Sequence, residues 1–553
     1  MAFPLLVLTL GGIACVTMAL VILTRRWPDL SVAIALAGAT AVVLVHGLVY
    51  FNYFAEDAFI TLRYSRHLAD GLGPNWNATG HVEGYTNFLW MAVLAGMAKM
   101  GFDLLVAARL LGALAMLGTF GALYGIWRLW ARNDAESGIE HPFVLAAALL
   151  ALAFTGAVPF WTFSGLETPL FAALITTSAY LYLSERRSGA FPRSALCLAA
   201  AAMTRPEGLI AAGVTGAFVA IDAWRMADRR RAVTRLFFWG ALFLVPFVAF
   251  FIWRYTYYGH PFPNTFYAKV SLTSAALNRG LASITESALN YHLLPMLGGG
   301  MLLLARPRLR WDAAYLLVLA STMLITVIFE GGVFIYGRST APLLPIIYLA
   351  GLAGFATLLK RMPLEAAQSA LIVTLVLGSA GLLTLRASYN PFIESFREDN
   401  DERRALGTWL NEYTPSDYTI ATFAAGAVSY YAHDRAVLDL LGLNDERIAH
   451  SDVPDFGAGL AGHEKYNMEY VFDEVQPEII LLDQPGDGPA TTEEVRALAQ
   501  AQLSLIRAEN ILFNDPRLWE RYEVASVRID ERWFSFFQRK DTIGELRGPG
   551  LVN

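Results

Sequence analysis

The sequence predicts an α-helical polytopic membrane protein with about twelve transmembrane helices and a C-terminal soluble α/β domain. Three observations lead there. Of 553 residues, 55% are hydrophobic and 16% charged, with mean hydropathy +0.43, whereas soluble domains carry roughly 25% charged residues. Apolar runs close to the ~20 residues that a bilayer crossing needs recur along residues 1–386. After Arg386 the chain turns charged (REDNDERRALGTWLNEYTPSDYTIAT) and contains no run of spanning length.

The runs lie at 3–23, 31–51, 104–130, 142–160, 167–184, 193–205, 208–224, 235–257, 289–305, 311–329, 339–359 and 366–386. The first has no basic residue before it and no small-residue cleavage site after it, so it reads as a retained span. The pair 193–205 and 208–224 is short and broken at Pro206, which suits a bent pair lining a cavity. Residues 87–101 are apolar too, but only Gly101-Phe102-Asp103 separates them from the next run. They read as an interfacial or re-entrant helix within a first outer loop, 51–103.

Orientation follows from charge. With the N-terminus outside, twelve crossings put Arg25/Arg26, Arg128/Arg132, Arg186/Arg187/Arg193, Arg225 to Arg235, Arg306/Arg308/Arg310 and Lys360/Arg361 in the cytoplasm. Every alternate loop is then basic. Counting 87–101 as a full crossing would destroy that pattern. The predicted location is a bacterial inner membrane, with 387–553 as a periplasmic domain. Its β-like runs are 418–423, 436–442 and 477–483, with a helical pattern at 493–507. The net charge of -6 gives no footprint for nucleic acid, and Cys15 and Cys197 support neither a disulfide framework nor a metal site.

The loops on the other face carry the chemistry. They are AEDAFITLRYSRHLADGLGPNWNATGHVEGYTNFLW (55–90), FSGLETP (163–169), TRPEG (204–208), YYGHPFPNTFYAKV (257–270) and EGGVFIYGR (330–338). Ionisable groups near membrane depth are costly unless they act. A helix beginning near Asp57 would set Asp57, Thr61 and Tyr64 on one face and Phe59, Leu62 and Ala69 on the other, as an amphipathic helix on the membrane surface. At its start, Glu56 and Asp57 are stabilised as anions by the helix dipole. Such a carboxylate can take a proton from a hydroxyl, or hold a divalent cation should the reaction use one. Arg205, Lys269 and Arg338 lie beside Pro or Gly breaks and suit a phosphate; snorkelling to lipid headgroups is the simpler alternative for any one of them. Glu167 and Glu207 serve equally as ligands or as structural partners of Arg205. The aromatics, Tyr85 and Tyr267 among them, suit a sugar or isoprenoid platform or an interfacial belt. His433, His450 and His463 are scattered, and no metal site is expected there.

EDAFITLRYSRHLADGLGPNWN followed by VEGYTNFLW resembles the first outer loop of the GT-C glycosyltransferases. It is similar in particular to the bacterial group holding the mycobacterial terminal arabinofuranosyltransferases and related Gram-negative enzymes. SGLETPLF, TRPEG, YYGHPFPNTFYAKV, EGGVFIYGR, AVLDLLGLNDERIAH and GHEKYN extend the resemblance over most of the chain. One position departs: Val333 stands where relatives carry an Asp after two glycines.

The resemblance implies a membrane enzyme that takes a sugar, D-arabinofuranose being one candidate, from a polyprenyl-phosphate donor. The acceptor is a cell-envelope glycan, lipid or protein. Under it Asp57 and Glu56 are catalytic, and Arg205, Lys269 and Arg338 hold the donor phosphate. Arg63, Tyr64, Glu83, Tyr85, Asn87, Glu167, Glu207, Asn264 and Tyr267 contact substrate, and a divalent cation, if used, sits on Glu56 and Asp57. The alternatives are a lipid-linked sugar transporter or flippase and an envelope-glycan receptor; the absence of paired repeat halves and the one-sided polar loops count against the first.

Overall fold

The computed structural model describes residues 3–134, 137–332, 336–360, 391–500 and 506–552. The run 366–386 and Val333 lie outside the described residues. The chain divides into two compact units. The first comprises Met1–Tyr53, Leu105–Ile252 and Arg279–Ile393; the second comprises Phe54–Leu104, Trp253–Asn278 and Glu394–Asn553.

Among the described residues, six helices are long and apolar enough to cross a membrane: Pro4–Leu23, Pro28–Tyr50, Leu104–Asn133, Arg229–Tyr258, Arg310–Phe329 and Ala341–Leu359. Two bent pairs bring the number of candidate spans to eight. One expected straight run, 142–160, is therefore broken, and a second bend falls at the start of the expected run 289–305. Pro142–Phe154 and Ala157–Phe163 meet at 66°, and Ser274–Asn290 and Leu293–Ala305 at 70°. At the first break Thr155 is extended before Gly156; at the second His292 is left-handed with φ 52°, a conformation uncommon for a residue with a side chain.

The break between Ser194–Thr204 and Gly208–Trp224 falls where Pro206 predicts it. Arg205, the residue before the proline, is extended at φ -152° and ψ 143°, as the proline ring demands of its predecessor. The basic loops are tied down by acids. Arg186 meets Asp222 at 2.9 Å, Arg187 pairs with Asp312, and Lys360 reaches Glu140 at 3.2 Å.

Close helix packing in the first unit uses glycine, as expected where backbone approach replaces the hydrophobic effect. A Cβ on Gly354 would sit 1.8 Å from the Gly299 carbonyl oxygen, and one on Gly351 2.6 Å from the Met296 carbonyl. The helices Leu293–Leu302 and Leu344–Leu359 thus meet backbone to backbone.

The second unit holds a six-stranded sheet. Its strands are β1 (Thr419–Thr422), β2 (Ala436–Asp439), β3 (Ile479–Gly486), β4 (Tyr522–Ile529), β5 (Arg532–Arg539) and β6 (Leu551–Val552), in the order β2-β1-β3-β5-β4-β6. β1 runs parallel to β2 and β3, and the remaining pairs are antiparallel. The three expected strand runs are strands. Both faces are covered: Ile479, Leu481 and Phe536 pack with Trp409 and Leu410, while Ile480 and Phe537 pack with Val471, Phe472 and Leu512. That alternation is the two-residue period of a strand.

Gly354→Leu is expected to destabilise the first unit by about 1–3 kcal/mol through overpacking. Gly298→Ala, where a Cβ meets nothing within 4 Å, is the control. Thermal unfolding in detergent should separate the two, and an unshifted midpoint for Gly354→Leu would refute the packing argument.

Candidate active site

The second unit gathers most of the residues singled out in the first loop. The helix Glu56–Ala69 begins at the expected place, with Glu56 and Asp57 in its first turn. It is not half-exposed: Phe59 and Leu62 are buried, and so are Thr61 and Tyr64 on the other face. The reason is hydrogen bonding. Arg63, fully buried, donates to the carbonyls of Trp76 at 2.8 Å and Arg435 at 2.9 Å, and to that of Ser429. Its guanidinium lies 4.9 Å from the centre of the Trp76 ring. The Tyr64 hydroxyl donates to the Val82 carbonyl at 2.8 Å and accepts from the Gly84 amide at 3.0 Å.

The carboxylate of Glu56 is an anchor. Its Oε1 accepts the amides of Gly426 at 2.9 Å and Ala427 at 3.0 Å, and Arg403 stands 3.7 Å from Oε2. A Cβ on Gly426 would lie 2.2 Å from the Glu56 carbonyl oxygen, so this approach needs glycine. Glu56 therefore fits a metal poorly, and among the described residues no group of three or more His, Cys, Asp or Glu is placed to hold one. Asp57, beside it, is partly exposed.

Four other candidates are buried supports. Glu83 holds Arg254, whose Nε lies 2.7 Å and 2.8 Å from its two oxygens; burial pushes the Glu83 carboxyl up to about 7 against the pull of Arg254. Tyr85 shares a 2.9 Å hydrogen bond with Tyr258. Asn87 donates to Thr61 at 3.1 Å. Asn264 donates to the carbonyls of Gly442, Leu443 and Asp445 at 2.8–3.1 Å. Glu83, Tyr85 and Asn87 bond other side chains and Asn264 bonds backbone, and all four are buried. Tyr267 and Lys269 differ, being only partly buried on the short helix Asn264–Lys269. The Tyr267 ring centre lies 4.2 Å from that of His450.

Sequence reasoning set His463 aside as one of three scattered histidines. It lies within electrostatic reach of both Lys269 and Asp57. Its motif, GHEKYN, was visible, but nothing in the sequence ties residue 463 to residues 57 and 269.

The first unit assembles a second cluster. Glu167, at the start of Thr168–Ser188, is buried between two guanidiniums, 3.3 Å from Arg205 Nη1 and 2.9 Å from Arg338 Nη2. Arg205 also pairs with Glu207, and Glu330 accepts a hydrogen bond from Ser339. Glu330 was missed, although it opens the EGGVFIYGR loop. Burial pushes its carboxyl up to about 8, with Glu207 reinforcing the shift and Arg205 opposing it. Arg205 thus has Glu167 and Glu207 as partners, and Arg338 has Glu167. Of the three expected phosphate ligands, Arg205 and Arg338 converge in this cluster, whereas Lys269 belongs to the other unit.

The fold and sequence together define the class this chain resembles, the GT-C glycosyltransferases. Over 244 residues it is 31% identical to the terminal beta-(1->2)-arabinofuranosyltransferase of Mycobacterium tuberculosis (strain ATCC 25618 / H37Rv). That match covers 42% of this chain and 37% of the relative's length. ArnT from Cupriavidus metallidurans bound to undecaprenyl phosphate superposes with a TM-score of 0.56 at 16% identity, covering 92% of this chain and 98% of that one. Its apo state gives 0.53 at 15%. Residues 393–537 match a family described as a domain of unknown function (DUF8728).

Glu330 supplies a pH test. Its folded-state carboxyl titrates near 8 against 4.5 for the ordinary group, so the folded chain keeps a proton that the unfolded chain releases. Stability contributed by this group is full below about 4.5 and is lost as pH rises through about 8. Glu330→Gln is expected to flatten that portion of the stability–pH curve in detergent. An unchanged slope would show that Glu330 is ionised throughout.

Proposed function

We propose that the chain is a membrane glycosyltransferase that moves a sugar from a polyprenyl-phosphate donor to a cell-envelope acceptor at the periplasmic face. Arabinofuranose is the leading sugar, because the matched relative is named for it. The lipid phosphate class is supported by the ArnT structure, whose ligand is undecaprenyl phosphate. The observation that carries the reading is the convergence of Arg205 and Arg338 on Glu167 in a broken-helix turn. Two buried guanidiniums pre-aimed at one oxyanion form the arrangement that an anionic lipid head requires.

In this mechanism the acceptor hydroxyl oxygen forms a bond to the anomeric carbon as the bond to the phosphate oxygen breaks. The departing electron pair stays on phosphate. Arg205 and Arg338, released in part from Glu167, meet that growing charge and so stabilise the transition state more than the ground state. Asp57 takes the hydroxyl proton, and Glu56 holds the helix start that presents it. Arg63, Tyr64, Glu83, Tyr85, Asn87 and Asn264 shape the surrounding backbone. Tyr267 is the candidate among the aromatics to touch sugar.

Asp57→Asn is expected to reduce transfer from labelled polyprenyl-phosphate arabinofuranose on the order of 10²–10⁴-fold, the usual contribution of a general base, while undecaprenyl phosphate still binds. Transfer at the wild-type rate would remove Asp57 as the base. Movement of labelled lipid across vesicles without glycoside product would place the chain among transporters instead.

A further inference from the structure

Residues 259–273 reverse the usual sidedness of a soluble protein. On the short helix Asn264–Lys269 the buried residues are Asn264, Thr265 and Ala268. The Asn264 side-chain amide donates to the carbonyls of Gly442, Leu443 and Asp445, and its backbone amide donates to the Glu83 carbonyl at 2.9 Å. The large apolar side chains are the exposed ones. Phe262 is 49% exposed, Phe266 39% and Leu272 74%, and Val270 between them is exposed as well. The rings of Phe262 and Phe266 stack, with centres 4.6 Å apart and planes at 23°. Single apolar side chains on a surface are ordinary. A group of them along one stretch of chain, while an asparagine takes the buried place, marks a surface that meets something other than water.

The chain before this stretch says what that is. The helix Arg229–Tyr258 has 30 residues, about 45 Å at a rise of about 1.5 Å per residue, which matches a bilayer together with its headgroup layers. Its apolar stretch is almost entirely unburied, and Tyr255 is still exposed near its end. With Arg229, Arg230 and Arg231 at one headgroup layer, Tyr258 ends in the other. Phe262 is four residues further on, at most about 14 Å of extended chain. The apolar stretch therefore begins within reach of that same headgroup layer.

We propose that Phe262, Phe266, Val270 and Leu272 form an interfacial anchor that seats the second unit on the bilayer surface, with lipid as the occupant of this face. Apolar and aromatic side chains settle at the boundary of headgroups and acyl chains, where their burial is favourable and neighbouring backbone still finds polar partners. The polar side of the helix is spent on the protein through Asn264, so the anchor holds protein and lipid at once. Tyr267 lies on this helix with its ring 4.2 Å from that of His450; the anchor thus fixes at the bilayer surface the aromatic side chain assigned to sugar. An anchor needs a membrane and no particular reaction, so this goes beyond the enzyme reading.

The test places the full chain in nanodiscs of phosphatidylcholine and phosphatidylglycerol, with its two cysteines removed as Cys15→Ala and Cys197→Ala. Nitroxides are attached at Phe262→Cys, Phe266→Cys and Leu272→Cys, and at Glu523→Cys on an exposed position of β4 as the aqueous control. The first three are expected to be relaxed several-fold more by oxygen than by a water-soluble nickel chelate, and the control the reverse. Control-like accessibility at two or more of the three would overturn the anchor. Spin–spin broadening between labels on two chains would overturn it in favour of a second copy. Wild type answers without substitution: a photoactivatable phosphatidylcholine is expected to label the peptide containing residues 262–272, and labelling confined to the spanning helices would overturn the proposal. Neither readout involves transfer, so failure of the anchor leaves the Asp57→Asn test intact, and failure of that test leaves the anchor standing.

Discussion

The first unit is organised around one constraint, that a charge withdrawn from water must be met by another. Glu167 is 1% exposed, and Arg205 and Arg338 reach it from separate loops. Breaking a buried pair by deleting one member costs roughly 3–5 kcal/mol, because its partner is left uncompensated. Three chain segments that are remote in sequence are thus held to one point by a single carboxylate. The two guanidiniums in turn hold the carboxylate in place.

The second unit solves a different problem. Its loops come from residues 54–104 and 253–278, and its sheet from the C-terminal residues. The carbonyls beyond β2 have no further strand to pair with; Asn264 donates to three of them, at Gly442, Leu443 and Asp445. Trp76 and Asn77 both donate to the Val437 carbonyl. Arg63 does the same for the segment around Ser429 and Arg435. Polar residues that look like ligands in a loop are here the partners of buried backbone, whose groups must be satisfied.

This difference explains what could be read from sequence. The strand runs, the helix starting at Glu56 and the Pro206 break were legible, because strand periodicity, dipole preference and X-Pro sterics are local. The bends at Thr155 and His292 were hidden, since a run of apolar residues looks continuous whether or not it turns. Glu83 looked like a site acid, for Arg254 lies far along the chain and within an apolar run. His463 looked scattered for the same reason: the loop that carries it lies against the Lys269 segment, where a Cβ on Gly462 would fall 3.1 Å from Lys269 Cε. Local rules give elements, whereas long-range pairing decides which polar side chains remain to do chemistry.

Adjacent acids illustrate how sharply that sorting works. Consecutive positions on a helix point about 100° apart, so Glu56 and Asp57 leave the helix in different directions. Once Glu56 accepts the Gly426 and Ala427 amides, the helix is fixed in rotation about its axis. The Asp57 backbone is carried with that helix start. His463 reaches the same neighbourhood from the C-terminal loop, carried there by backbone packing. The pair therefore divides into an acid that positions and an acid that is positioned, and a change at Glu56 acts on the chemistry through the orientation it removes.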